Sequence, residues 1–162
     1  MTLQAAVKRA LAGVPLFASG EYVLEAAHHA THLRCELAAL DALACTFARL
    51  SVRSDAHPNL SMDQVRKLAE SLAARLTYLL EPISPIEIDA DGCVVQMRSN
   101  PPQKEEDRTS YYELLVSRAG ELSLCRYSRA KSTVREMIPA HVTREVLLRL
   151  VRDFAQGLAE LQ

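Results

Sequence analysis

The sequence predicts an α+β fold: a long N-terminal helical hairpin, a four-stranded antiparallel meander sheet, and a C-terminal helix packed on that sheet. Three observations predict it. Before Pro82, from Glu21 to Leu80, apolar residues recur every three or four positions. From Ile86 to Tyr127 they alternate in short runs, and after Thr143 a helical period returns. The chain has 162 residues, 49% of them apolar and 24% charged, which is globular composition with enough length to build a core unaided.

Thr2 to Ala12 reads as a short helix ended by Gly13-Val14-Pro15. Lys8-Arg9 followed by Ala10 to Gly20 imitates a secretory leader, but Gly13 and Pro15 interrupt the apolar stretch. Helix one is expected from Glu21 to Arg53, with Val23, Ala26, Ala30, Leu33, Leu37, Leu40, Ala44 and Phe47 as its seam. Between Leu37 and Phe47 only Asp41 and Thr46 are polar, the mark of a helix buried on several sides. A turn at His57-Pro58-Asn59 leads to a capping box of Ser61 and Gln64, with Leu60 and Val65 placed as a hydrophobic staple. Helix two then buries Val65, Leu68, Leu72, Leu76 and Leu79, and Pro82 and Pro85 stop it.

Ile86–Ile88 and Cys93–Arg98 form a hairpin around Asp89-Ala90-Asp91-Gly92, where Gly92 is expected at positive φ. Asn100 to Thr109 is a polar loop. Tyr111–Arg118 and Glu121–Tyr127 form the second hairpin around Ala119-Gly120, and Thr143 to Leu161 the last helix. The chain thus divides into an arm (1–20), a helical hairpin (21–81), a sheet (86–127) and a C-terminal helix (140–161) within one domain. Helix one would span about 50 Å and helix two about 30 Å. The start of the first seam, Val23, Ala26 and Ala30, is therefore left needing another neighbour, and self-association is expected there.

Two clusters of chemistry-bearing residues stand out. On a helix, Glu21, Glu25, His28, His32 and Cys35 fall on one face away from the seam, and these are ligand types that transition metals take. Single-helix spacing supplies at most two or three ligands and the stripe lacks HExxH, so a solvated polar face is the preferred reading and no metal or cofactor is assigned. His29, nearer the seam, is expected to pack in the core. The second cluster is basic. From Arg108 to Arg152 there are nine Arg or Lys and four Glu, whereas residues 81–107 hold seven acids and two bases. Arg126, Arg129, Lys131 and Arg135 concentrate where the chain leaves the last strand, a candidate partner or anion site.

The negatives narrow the classes. Five glycines make neither a GxGxxG nor a GxxxxGK[ST] loop, and no GxSxG elbow occurs. Ser128, Ser132 and His141 have no spacing that argues a nucleophile and its base. The four cysteines show no CxxC pair, which fits free thiols in a reducing, cytoplasmic setting. No run approaches the roughly 20 apolar residues of a membrane span. Tyr111 and Tyr127 are the aromatics expected at the surface near the basic cluster, too few for base stacking, so nucleic acid is not the expected partner. The predicted layout loosely resembles small bacterial secretion chaperones, compact α+β homodimers, at the level of layout alone. The expected function is a non-enzymatic, self-associating protein-interaction module with a homodimeric partner. A small-molecule or metal-binding protein and a nucleic-acid module are the alternatives.

Overall fold

The computed structural model describes residues 1–161. Its chain order is α1 (Leu3–Ala12), β1 (Tyr22–His28), β2 (Thr31–Leu40), β3 (Ala44–Ser54), α2 (Met62–Arg75), β4 (Ile83–Asp89), β5 (Val94–Ser99), β6 (Gln103–Lys104), β7 (Arg108–Ser117), β8 (Glu121–Ala130), β9 (Glu136–Ile138), β10 (Ala140–Thr143) and α3 (Arg144–Ala159). The fold is α+β, but no helical hairpin exists and the sheet is not a four-stranded meander. Ten antiparallel strands form one sheet in the order β1-β2-β3-β8-β7-β5-β4, with β10 beside β3, β6 beside β7 and β9 beside β8. The likeness to secretion chaperones rested on the hairpin layout and lapses with it.

The expected helix one is three strands, and the reason is local. Turns break the segment at His29-Ala30, where His29 has φ 53°, and between Leu40 and Ala44, where the Asp41 carboxylate accepts from the amides of Leu43 and Ala44 at 2.8 and 2.7 Å. Register shifts then disguise the strand period. Glu36 pairs with Arg49, Leu37 with Phe47 and Ala39 with Thr46, so Ala48 and Ala38 are each skipped. Such bulges turn an alternating pattern into spacings of three, Leu37 to Leu40 and Phe47 to Leu50, which imitate a helix. His29 sits exposed in a turn and not in the core.

The helix boundaries follow the capping chemistry. Thr2 accepts from the Ala5 amide and Thr143 from the Val146 amide. Ser61 and Gln64 close a reciprocal capping box at 3.2 and 2.9 Å, with Leu60 and Val65 both buried beside it. Helix α2 ends at Arg75, short of Pro82, and the connection to β4 carries Leu76 and Glu81 into the interior. In the first β4–β5 turn the residue at positive φ is Cys93, not Gly92. Gly92 is held close instead: its amide donates to Asp89 Oδ1 at 3.0 Å, and a Cβ there would stand 2.7 Å from the same carboxylate.

All three helices lie on one side of the sheet. Helix α1 packs on β1, α3 on β3 and β10, and α2 on β4, β5 and β7. The side chains that register places on that side, Leu33, Cys35, Leu50, Val52, Leu122, Leu124, Leu114, Val116, Val95 and Met97, are buried in one core with Val7, Leu68, Leu72, Leu150 and Phe154 from the helices. Each fully buried large aliphatic or aromatic side chain contributes about 1.5–3 kcal/mol, so this side holds the fold together. No described helix covers the opposite side.

Candidate functional site: the uncovered sheet face

Successive side chains on a strand point to opposite faces, so each buried residue of the core fixes its neighbour on the open one. Register lines these neighbours up across the sheet. Glu36 pairs with Arg49, the Arg49 Nε–H donates to Cys125 Sγ at 3.4 Å, Cys125 pairs with Glu113, and Glu113 pairs with Arg98. Charges thus alternate along one row, with a thiol between Arg49 and Glu113.

The middle of the row is roofed by Arg135, which reaches in from the 131–135 loop. Its guanidinium lies 3.8 Å from the centroid of the Tyr127 ring and donates to Glu113 Oε2 at 2.5 Å and to the Tyr111 hydroxyl at 3.3 Å. Gln96 Nε2 donates to the same Glu113 oxygen at 2.8 Å, and Arg98 stands 3.5 Å from it, itself stacked over Tyr111. Burial alone would raise the Glu113 pKa. The hydrogen bonds from Arg135 and Gln96 and the charges of Arg135 and Arg98 outweigh that, and hold the carboxyl below its ordinary value. The same carboxylate pushes Arg135 further up.

A cavity lies on each side of this roof. One, of about 630 Å³, is lined by β1, β2, β3 and β8 through Glu25, Arg34, Arg49, Ser51, Arg53 and Ser123. His32 is at its edge, 2.8 Å from Asp55, and Arg53 donates to the other oxygen of Asp55 at 3.1 Å. The His32 contact leads the effects that lower the Asp55 pKa. The second cavity, of about 700 Å³, lies toward β4 and is lined by Arg98, Thr109, Tyr111, Arg129, Lys131 and the acidic stretch Glu105-Glu106-Asp107.

The residues singled out from sequence are scattered across these surfaces. Arg129 and Lys131 line the second cavity together, and Arg135 is nearby but committed to Glu113. Arg126 is on the other side of the sheet, buried, bonded to Glu81 at 3.1 Å and stacked on Tyr112. The opposed charge blocks meet partly within the fold, through Arg126–Glu81. The stripe Glu25, His28, His32 and Cys35 is dispersed: Glu25 and His32 face the open side, whereas Cys35 is fully buried on the core side. Among the described residues, no group of three or more His, Cys, Asp or Glu is arranged to hold a metal. Val23 is exposed on β1, Ala26 packs against the core, and Ala30 lies in the turn to β2, so these three share no common face. Missing from the sequence reading were Glu113, Arg98, Arg49, Ser51 and Ser123, which are brought together only by pairing β3 and β5 to strands some seventy and twenty positions away.

Among the described residues, His32 bonds to Asp55 alone, and no serine or cysteine is within hydrogen-bond reach of it. No described helix is long and apolar enough to cross a membrane. The chain matches no protein-family model, no curated protein and no solved structure.

Proposed function

We propose that the chain is a non-enzymatic protein-interaction module that associates with a second copy of itself through the free edge of β1. The contrast between the two sheet edges carries this reading. Sheet edges invite pairing unless blunted by proline, bulges or charge. The β4 edge has all three: Pro85, a register shift between Pro85 and Glu87, and the acids Glu87 and Asp89. The β1 edge has seven regularly paired residues, no proline, no bulge and one acid, Glu25. Its outward backbone groups make no hydrogen bond among the described residues. Tyr22 and Val23 are 40% and 44% exposed beside it.

An antiparallel pair of β1 strands centred on Glu25 would set two carboxylates opposite each other, which is unfavourable. Centring on Leu24 or Ala26 puts Glu25 opposite Val23 or Ala27 instead. Sedimentation velocity over a concentration series, with hydrogen exchange read at the β1 amides, tests this. The expected outcome is a dimer whose β1 amides gain protection with concentration, and a Val23→Lys/Ala27→Lys variant that stays monomeric. A monomer at every concentration with freely exchanging β1 amides overturns it.

A further inference from the structure

On the floor of the 630 Å³ cavity two hydroxyls face each other across β3 and β8, Ser51 and Ser123. Both are half-buried, and neither hydroxyl has a hydrogen-bond partner among the described residues. Neither hydroxyl is sealed from solvent, so both open onto the cavity and are free to donate to a ligand there. Ser51 is also ringed by arginines. Arg49 and Arg53 precede and follow it by two positions on the same face of β3, and Arg34 is its cross-strand partner on β2. Two-residue and cross-strand spacings put all three within about 5–7 Å of Ser51 along the backbone, inside the reach of an arginine.

The acids around this ring select for size. Glu36 and Glu25 stand 3.3 and 4.0 Å from Arg34, and Asp55 takes Arg53 at 3.1 Å, while Glu121 pairs across from Arg53 at the rim. Among the described residues Arg49 is in no ion pair: its one hydrogen bond runs from Nε to the Cys125 sulfur, and its two terminal nitrogens have no partner. A compact oxyanion over the serines would meet two hydroxyl donors and a guanidinium fork, with Arg34 and Arg53 on its flanks. An extended polyanion would run into the rim carboxylates.

We propose that this cavity binds a single phosphate-class oxyanion, inorganic phosphate or one phosphoryl group, on Ser51, Ser123 and Arg49. The site does not depend on how the chain associates. The test is an amide-resolved NMR titration of the intact protein with sodium phosphate at constant ionic strength, with sodium chloride and sodium acetate as parallel arms. Saturable shifts at Ser51 and Ser123 are expected with phosphate. Arg49→Gln should weaken binding roughly ten-fold, the size of a lost charged hydrogen bond, and a Ser51→Ala/Ser123→Ala pair should also weaken it. Arg129→Gln/Lys131→Gln, in the other cavity, should leave it unchanged. Shifts that fail to saturate, that chloride or acetate reproduces equally, or that persist in both the Arg49 and the serine variants overturn the proposal.

Discussion

Glu113 and Arg135 are 22 positions apart in the chain and 2.5 Å apart across the open face, where the arginine lies flat on Tyr127 and closes over the carboxylate. The pair fixes the 131–135 loop to the middle of β7 and separates the two cavities. Arg135→Ala should therefore lower stability by about 1–2 kcal/mol, the cost of leaving a buried acceptor short of a charged donor, reduced by the partial exposure of the arginine. Urea unfolding of the variant reads this directly, and an unshifted midpoint would show the loop to be held by other contacts.

The same carboxylate predicts an acid limb in stability. Its folded pKa is depressed below the unfolded value, so it contributes stability that is present above ordinary glutamate titration and lost as pH falls through the folded pKa. Glu113→Gln removes this contribution. Unfolding free energies measured from neutral pH down through the acidic range should decline more steeply for wild type than for the variant, with the two curves converging in acid. Parallel curves would refute the assignment.

Gly120 closes the β7–β8 hairpin at φ 73°, its carbonyl accepts from the Ser54 amide at 3.0 Å, and a Cβ there would stand 2.5 Å from the His57 carbonyl oxygen. An L side chain is disfavoured by the backbone and blocked by a neighbour that is itself backbone. Gly120→Ala should cost about 2 kcal/mol or more. Thermal melting monitored by circular dichroism is sufficient, and a variant as stable as wild type would contradict the turn geometry.

All four cysteines are buried and free. Burial pushes the Cys45 thiol up to about 11 and Cys35 higher still. Because the thiolate is the reactive form, an aromatic disulfide reagent at neutral pH should label no cysteine in the folded protein and all four in denaturant. Rapid labelling of Cys45 without denaturant would point to opening of the β2–β3 hairpin.

What the sequence discloses and what it conceals separate along physical lines. Signals written in adjacent residues were legible: Ser61 with Gln64, the Ala119-Gly120 turn, the stripe from Leu147 to Leu158 in α3. The stretch from Tyr22 to Ser54 was not. It is rich in alanine, leucine and arginine, good helix formers, and its bulges at Ala38 and Ala48 space the buried residues as a helix would. Tertiary pairing overrides that preference, since β3 is held on both sides within the sheet. Reading strands as a helix also misplaced the chemistry. His32 and Cys35 fall on one helical face but on opposite sides of a strand, and Arg126 and Arg129 likewise separate. The alternating row through Arg49, Glu113 and Arg98 is created by register, which no local pattern records.

The branching of β3 also dictates when this chain can acquire its structure during synthesis. One half of that strand pairs with residues 121–124 and the other with residues 140–143, so its free side is claimed in part once residue 124 has left the ribosomal tunnel and in full only once residue 143 has. Until α3 (Arg144–Ala159) follows, Phe47, Leu50 and Val52 have no helix to cover them. Contacts of such sequence separation form late, so the sheet is completed only after β8 and β10 have been synthesised. The interval before that closure is when the polypeptide is most open to capture by a holdase or to aggregation with its neighbours on the polysome.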